Sequence, residues 1–300
     1  MHLCVVLRAK TDTIGIWANC VYRPIVSSHS TKLRAIDAGA ARTLEFAFCT
    51  SSHESVKSEM SLFHIYGLSL TVHRPHTLLC APGALGSIWT DFKMQVEGFD
   101  QDKFCVVAWD PPGYGKSRPP EREFSTDFYE KDADAAISFM KKLKIPKFSL
   151  LGWSDGGIVG LILAAKYPNT INKLVVWGAN SFILPHELEI YKNIRDVSKW
   201  SKKMREPMVE LYGEEYFPKL WSNWIDGVIS VYNKNDGNIC AEMLKNIKCP
   251  TFILHGEKDP MVDNVHVSHL IHLYPDGKHN IHVKYAQDFN KRVQDFLLQP

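Results

Sequence analysis

The stretch Gly152-Trp153-Ser154-Asp155-Gly156 has the pattern Gly-x-Ser-x-Gly and separates two different sequence periodicities. Before it, residues 147–151 form a short apolar run that is typical of a buried strand. After it, the apolar residues of 157–167 recur at i, i+3, i+4 and i+7, which is the spacing of a helix with one buried face. The sequence therefore predicts a sharp turn from strand to helix with Ser154 at its tip.

A turn of this kind is typical of a nucleophile elbow, because it lifts the serine hydroxyl clear of the sheet. The glycines let strand and helix approach more closely than Cβ atoms would permit. The N-terminus of the following helix favours the negative charge that develops during acyl transfer. We therefore interpret Ser154 as a nucleophile, although a Gly-Ser turn between ordinary elements would show the same pattern.

The composition excludes several classes of protein. Its 300 residues are 45% hydrophobic and 23% charged, as in soluble globular proteins. The net charge of +2 and the lack of a basic stripe argue against a nucleic-acid partner. No apolar run approaches the roughly 20 residues that span a bilayer. The seven cysteines are scattered without a Cys-x-x-Cys pair, which favours free thiols in a reducing compartment.

Residues 1–60 differ in composition from the rest of the chain. They are rich in Arg, Lys and Ser, and Asp12 and Asp37 are the only acidic residues before Glu45. This bias is typical of a mitochondrial transit peptide, so we expect a mitochondrial location. The apolar patch at residues 4–7 and the lack of a clean amphipathic helix leave an alternative open. That alternative is an untargeted, poorly ordered extension, or an upstream piece of misassigned coding sequence, on a cytoplasmic protein.

From residue 61 onwards, short apolar strands alternate with helices. Strands are predicted at residues 64–72, 76–80, 104–109, 147–151, 174–178 and 251–256, and helices at residues 128–143, 157–167 and 289–297. This alternation predicts an α/β fold with a mostly parallel, doubly wound sheet covered on both faces. Ligands of such a sheet bind beyond the carboxyl ends of its strands, which is where Ser154 lies.

Residues 181–246 interrupt this alternation with helical, aromatic-rich sequence. Phe217, Trp221 and Trp224 keep helical spacing within it. We therefore predict a helical cap at 181–246, inserted into a core formed by residues 61–180 and 247–300. Most of the aromatic side chains are expected to pack within the cap, and a few to line a pocket between cap and core.

A nucleophilic serine requires a base, and the base requires an acid that holds its tautomer. After an elbow of this type the order along the chain is Ser, acid, His. Asp259, which follows the strand at 251–256, and His279, in a Gly-Lys-His-Asn loop, fit this order. The rival acids are Glu257 and Asp263, and the rival bases are His272 and His282.

The oxyanion hole requires two backbone N–H groups, one from the residue after the serine and one from the loop after an early strand. Asp155 and Ala84 are the candidates. The carboxylate of Asp155 would oppose a nearby oxyanion unless the substrate carries a cation that pairs with it. Alternatively, this side chain turns away and caps the following helix. The residues alone leave both possibilities open.

No cofactor and no metal ion are expected. His266, His269 and His272 recur every three residues, but no acid or cysteine completes a convincing ligand set. We interpret them as a solvated helix edge. The expected partner is a small-molecule ester with a free amino group, and the expected oligomeric state is a monomer.

Several runs of sequence resemble the α/β-hydrolase superfamily and, within it, the valacyclovir-hydrolase (biphenyl hydrolase-like) subfamily. The resemblance extends from about residue 65 to the C-terminus, and it is carried by residues 107–111, 149–157, 194–200, 236–240, 255–260 and 277–280. It implies an α/β-hydrolase fold with a cap, a mitochondrial location, and hydrolysis of α-amino-acid esters, including ester prodrugs. It also implies that Ser154 is the nucleophile, Asp259 the acid and His279 the base, and that Asp155 receives the substrate's α-amino group.

The sequence departs from this family in its opening strand, in a short turn after residue 72, and between the acid and the histidine. The family has a helix and a strand in that last segment, whereas only residues 261–274 are available here. A helical crossover requires at least about 10–12 residues before any strand is counted. Either the helix or the strand must therefore be lost. Without the strand, His279 would not reach Ser154.

Two classes of function remain for comparison. The first is an active hydrolase of amino-acid esters, and the second is a non-catalytic variant whose triad does not assemble. General carboxylesterases and C–C hydrolases of the same fold are further alternatives, although neither requires Asp155.

Overall fold

The computed structural model describes residues 76–266 and 271–300, together with the backbone of four strands within residues 3–45. The strands are β1 (Leu3–Lys10), β2 (Thr13–Cys20), β3 (Ala35–Ala38), β4 (Ala41–Glu45), β5 (His76–Ala81), β6 (Phe104–Asp110), β7 (Phe148–Trp153), β8 (Ile171–Trp177), β9 (Thr251–Gly256) and β10 (Ile271–Tyr274). The helices are α1 (Ile88–Asp91), α2 (Lys93–Gly98), α3 (Phe128–Lys142), α4 (Asp155–Lys166), α5 (Pro185–Asn193), α6 (Lys202–Tyr212), α7 (Tyr216–Asn235), α8 (Ile281–Lys284) and α9 (Ala286–Leu298).

One sheet contains all ten of these strands, in the order β10-β9-β8-β7-β5-β6-β1-β2-β4-β3. Strands β5 to β10 pair in parallel. Strand β1 adds to β6 in parallel, and β2, β4 and β3 follow as antiparallel neighbours. The predicted, mostly parallel, doubly wound sheet is therefore confirmed.

The strand order reverses at β5, which lies between β6 and β7. At such a switch point two successive connections leave the sheet in opposite directions and open a crevice at the carboxyl ends of the strands. Ala81 at the end of β5 pairs with Gly152 of β7. The loop after β5 and the elbow after β7 are therefore direct neighbours.

Both faces of the sheet are covered, because alternate side chains of each strand enter different cores. Leu79 packs with α3, α4 and the helices between β8 and β9. Its neighbours Leu78 and Cys80 pack with α1, α2 and α9 on the other face. The buried strands read as continuous apolar runs for this reason.

The chain between β8 and β9, all of which is described, forms α5, α6, α7 and two 3-10 helices, Val197–Lys199 and Ala241–Asn246. Helix α7 buries Phe217, Leu220 and Trp224 on one face. This segment occupies the range predicted as the cap, and the division of the chain into extension, core and cap stays a prediction.

The short segment before His279 keeps its strand. Strand β10 pairs in parallel with β9, with Ile271 opposite Ile253 and Tyr274 opposite Gly256. Among the described residues between β9 and β10, the only helical element is the 3-10 helix Asn264–His266. The described part of this segment therefore contains the strand and no α-helix, and the loop after β10 starts from the edge of the sheet.

Two predictions for the N-terminal region lie beyond what the structure describes. The strand predicted at residues 64–72 falls outside the described residues. The transit peptide predicted within residues 1–60 concerns targeting and stays a prediction. In the described part of the chain, no helix combines the length and apolar composition that crossing a membrane requires.

We predict that Gly156→Ala destabilises the protein much more than Gly160→Ala on the same helix. A Cβ at Gly156 would overlap the carbonyl oxygen of Ala81, which belongs to the sheet and cannot move aside. At Gly160 the nearest atom is a Leu150 methyl group at 2.6 Å, which can rotate away. We expect a loss of about 3 kcal/mol or more for Gly156→Ala. For Gly160→Ala, about 1 kcal/mol of helix propensity offsets the strain.

Urea unfolding of both variants beside the wild type measures this difference. Equal unfolding midpoints for the two variants would show that the close approach of α4 to β5 does not constrain the elbow.

Candidate active site

The elbow between β7 and α4 places Ser154 at the carboxyl edge of the sheet. Ser154 has φ 53° and ψ −124°, a backbone conformation that residues with a Cβ rarely adopt. Such strain costs about 1–3 kcal/mol and is typical of functional turns. The loop after β5 passes directly beside it, so that a Cβ at Gly83 would lie 3.3 Å from the Cβ of Ser154.

Ser154, His279 and Asp259 form a hydrogen-bonded series. The Nε2 atom of His279 lies 3.1 Å from the Oγ atom of Ser154. Its Nδ1 atom lies 2.8 Å from Oδ2 of Asp259. Because an ionised carboxylate only accepts hydrogen bonds, Nδ1 carries the proton and Nε2 is left to accept the Ser154 hydroxyl. The structure thus brings together the three residues singled out in the sequence.

Asp259 is held in its ionised form by its surroundings. Burial alone would raise its pKa, but the proximity and hydrogen bond of His279, together with the Met261 N–H, lower it below its ordinary value. Its Oδ1 atom accepts from Met261 N at 2.8 Å and from Val262 N at 3.2 Å. These bonds leave Oδ2 directed at His279.

The rival acids and bases have other positions. Glu257 is exposed, and Asp263 lies 3.1 Å from His186. His272 lies on β10 and contacts Tyr274. His282 is fully buried, accepts a hydrogen bond from Trp177 Nε1 and donates Nε2–H to the carbonyl of Asp91. Burial lowers the pKa of His282 to about 3, so it is neutral.

Two backbone N–H groups at the elbow can serve an oxyanion. Asp155 is the first residue of α4, where an N–H group has no acceptor within the helix. Ala84 is the second residue of the turn closed by Gly86 N–H and Gly83 O at 2.9 Å, so its own N–H is not used by that turn. Asp155 directly follows Ser154, and Ala84 directly follows Gly83, which lies against Ser154.

The Asp155 side chain turns into the site and does not cap its helix. It is 7% exposed. Oδ2 accepts from Trp224 Nε1 at 2.7 Å and Oδ1 accepts from the Tyr129 hydroxyl at 3.2 Å. Among the described residues no cationic side chain forms an ion pair with it, since nearby Arg122 is engaged in a bidentate pair with Asp132.

The surroundings of Asp155 therefore stabilise its negative charge only in part. Burial raises its pKa to about 6, although the hydrogen bonds from Trp224 and Tyr129 and the charge of Arg122 oppose that rise. At neutral pH the carboxylate is ionised and buried, which is costly without a cationic partner.

These groups line one small cavity of about 20 Å³. Its polar lining comes from Ser154, Asp155, Tyr129, Asn180, Tyr191, Trp224 and His279, and the remaining lining from Ile158, Ile183, Val228, Ile239, Met261 and Val262. The segment between β8 and β9 supplies one wall, and the strand ends supply the other. A mainly apolar lining with a few convergent polar groups is typical of a site for a small ligand.

Sequence reasoning did not single out Tyr129 and did not separate Trp224 from the other aromatic residues of its helix. Both donate to Asp155 from helices that are distant in sequence. A buried carboxylate needs donors, and that requirement is the one signal that could have directed attention to nearby Tyr and Trp side chains.

The three spaced histidines do not form a solvated helix edge, and that expectation is wrong. His266 has a side chain only 1% exposed and binds both carboxylate oxygens of Glu187, at 2.9 and 3.0 Å. His272 lies on a strand, and His269 is outside the described residues. Within the described ranges no group of three or more His, Cys, Asp or Glu side chains is arranged to hold a metal ion.

Comparison with known proteins supports a hydrolytic site. The sequence model of the α/β-hydrolase fold matches residues 76–208. Human serine hydrolase BPHL is 50% identical over 230 residues, which cover 74% of this chain and 79% of the human protein. The chain belongs to the α/β-hydrolase family. Within it, the likeness to BPHL shows a serine hydrolase, which implies a small-molecule substrate.

Two further similarities are more distant. A 2-hydroxy-6-oxononadienedioate/2-hydroxy-6-oxononatrienedioate hydrolase from Pseudomonas sp is 35% identical over 246 residues, covering 72% of this chain and 84% of that protein. The crystal structure of NosK from Streptomyces actuosus aligns with a TM-score of 0.59 at 19% identity. It covers 74% of this chain and 96% of NosK, which confirms the fold.

We predict that Trp224→Phe raises the pKa of Asp155 above its value of about 6, because it removes the closer of the two donors to the carboxylate. Carbon-detected NMR titration of the Asp155 carboxyl group measures the shift. Trp200→Phe is the matched control, because Trp200 Nε1 donates to the carbonyl of Ile194 and not to Asp155. An unchanged pKa in Trp224→Phe would contradict the role of this hydrogen bond.

Proposed function

We propose that this serine hydrolase cleaves esters of α-amino acids, including amino-acid ester prodrugs, through an acyl-enzyme. The observation that carries the proposal is the buried Asp155 carboxylate, which shares a cavity with Ser154 and His279 and accepts hydrogen bonds from neutral donors only. An α-ammonium group is attached to the carbon next to the scissile carbonyl. Because Asp155 directly follows the nucleophile, such a group can pair with it while the carbonyl is at Ser154.

The first half of the reaction follows from the hydrogen bonds of the triad. His279 Nε2 removes the proton of Ser154 Oγ as that oxygen attacks the ester carbonyl, and Asp259 stabilises the resulting imidazolium. The Ala84 and Asp155 N–H groups stabilise the oxyanion. The tetrahedral intermediate then expels the alcohol, which takes the proton from His279 and leaves an acyl group on Ser154.

The second half repeats these steps with water. His279 removes a proton from a water molecule that attacks the acyl-enzyme, and then returns that proton to Ser154 Oγ. The amino acid leaves with its ammonium group, and the resting hydrogen bonds of the triad re-form. Both halves of the reaction balance in atoms and charge without a cofactor.

Charge distinguishes this proposal from the other activities of the fold. A lone carboxylate beside an oxyanion opposes catalysis, whereas a carboxylate paired with a substrate cation does not. In a general carboxylesterase or a C–C hydrolase, Asp155 would place an unpaired negative charge beside the oxyanion without improving substrate binding. The 3.1 Å contact between Ser154 and His279 also removes the geometric reason for a non-catalytic variant.

The decisive experiment compares a valine ester with its neutral analogue, in which a methyl group replaces the ammonium, for wild type and Asp155→Asn. We expect the wild type to prefer the cationic ester by about thirtyfold or more in kcat/KM, since losing one partner of a buried charge pair costs about 2–5 kcal/mol. Asp155→Asn should lose this preference and keep its rate on the neutral ester.

Equal rates in all four combinations would refute recognition of the ammonium group. Faster turnover of the neutral ester by the wild type would instead favour a general carboxylesterase. Because Asn preserves the size of the side chain and its acceptor for Trp224 Nε1–H, a change in preference reports on charge.

We also predict that the preference for the cationic ester declines as the pH falls below about 6. Asp155 has a raised pKa, so its charge is present above about 6 and is lost as the pH falls through that value. The ratio of the two kcat/KM values between pH 4.5 and 7 is the quantity to measure, because pH effects that are common to both esters cancel in it. A ratio that stays constant in the wild type, as expected for Asp155→Asn, would contradict this assignment.

A further inference from the structure

A second buried carboxyl group, Asp91, lies on the other side of the oxyanion loop, which we define as Pro82–Gly86. Asp91 is the last residue of α1 and is 3% exposed. Its Oδ2 atom accepts from Gly83 N–H at 2.9 Å, and its Oδ1 atom lies 2.7 Å from Thr90 Oγ1. Neither the triad nor the recognition of an ammonium group uses Asp91.

The oxyanion loop is wrapped around this carboxyl group. A Cβ at Gly86 would overlap Oδ2 of Asp91. Leu85 adopts a positive φ of 56°, and its carbonyl accepts from the Tyr212 hydroxyl at 2.6 Å. With Gly83 fixed by Asp91 and Leu85 fixed by Tyr212, Ala84 lies between two anchored residues. The direction of the Ala84 N–H therefore depends on the hydrogen bond between Gly83 and Asp91.

The hydrogen bonds around Asp91 can be satisfied in both protonation states of the carboxyl group. In the ionised state Oδ1 accepts from the Thr90 hydroxyl at 2.7 Å. In the neutral state a proton on Oδ1 can be donated to Thr90 Oγ1, because the Thr90 hydroxyl hydrogen can turn to the carbonyl of Ser87 at 3.2 Å. Oδ2 continues to accept from Gly83 in that state. Protonation therefore leaves the loop in place and removes a negative charge from beside the oxyanion.

The charged and titratable groups around Asp91 come from three elements. Asp110 at the end of β6 repels its negative charge, and His279 in the loop before α8 has the opposite effect. His282 of α8 is neutral and contacts only the backbone carbonyl of Asp91. Burial is the largest influence and raises the pKa of Asp91 to about 7, although the hydrogen bonds from Thr90 and Gly83 oppose that rise.

We propose that Asp91 is a positioning residue for the oxyanion loop, which holds the Ala84 N–H in place through Gly83 and supports catalysis best as a neutral acid. The inference rests on the acyl-transfer mechanism proposed above and not on the amino-acid ester as substrate. It predicts that the hydrolase slows as the pH rises through the pKa of Asp91.

Fluorophosphonate labelling of Ser154 tests this, because it uses the nucleophile, the base and the oxyanion hole without requiring an ammonium group. The maximal inactivation rate is measured between pH 6 and 9 for wild type, Asp91→Asn and Asp91→Ala. Asp91→Asn keeps an acceptor for Gly83 and is always neutral. We expect its rate to match the wild type near pH 6 and to exceed it by about tenfold near pH 9.

Asp91→Ala removes the acceptor, so its maximal rate should fall about tenfold or more at every pH while the half-saturating inhibitor concentration stays unchanged. Asp102→Asn, the same substitution at an exposed carboxylate, is the control and should follow the wild type. If Asp91→Ala fails to fold, the pH dependence of Asp91→Asn decides alone.

The outcomes separate this inference from the proposed function. Parallel pH profiles for Asp91→Asn and wild type would overturn the role of the neutral acid. An undiminished rate in folded Asp91→Ala would overturn the positioning role. Absence of labelling in the wild type would contradict the proposed mechanism itself and the inference with it.

Discussion

The close approach of α4 to β5 is the constraint on which the active site depends. Gly156 leaves no space for a Cβ against the carbonyl of Ala81. Because of this contact, the first turn of α4 lies directly over the loop that follows β5. Ser154, the two N–H groups available to an oxyanion, and the positive end of the α4 dipole consequently meet at one point. If strand and helix lay further apart, Ser154 and the oxyanion loop could not contact the same substrate carbonyl.

That arrangement gives Asp155 two opposing properties. In the proposed mechanism its N–H group stabilises the oxyanion, and the same backbone places its carboxylate nearby. Trp224 and Tyr129 draw the carboxylate away from the helix axis and into the cavity. Trp224 comes from the helical segment between β8 and β9. The orientation of the Asp155 carboxylate therefore depends on how that segment packs against the rest of the protein. Any movement of α7 away from the sheet would expose the carboxylate and remove its closer donor.

The sequence predicted the parts of the site that depend on a local motif or on the order of residues along the chain. A Gly-x-Ser-x-Gly turn is a local pattern, and Asp259 and His279 follow from their order after it. The donors to Asp155 are 26 and 69 residues away in sequence, and their approach depends on tertiary packing that no periodicity records. The three-residue spacing of His266, His269 and His272 misled for the same reason. A buried Glu187 determines the position of His266, and a strand determines that of His272. The short segment before His279 predicted the loss of either a helix or a strand. The pairing of β10 with β9 shows that the strand is present.

Two buried carboxyl groups flank the place where the oxyanion would form, and electrostatics requires that each be neutralised in a different way. Asp155 faces the cavity, where a substrate cation can reach it, and its pKa of about 6 keeps it ionised at neutral pH. Asp91 is buried beneath the oxyanion loop, and its pKa of about 7 leaves a larger fraction of it protonated at neutral pH. The outer carboxylate can therefore select for charge in the substrate while the inner one shapes the loop. With both groups ionised and unpaired, the site would repel the intermediate that it is built to hold.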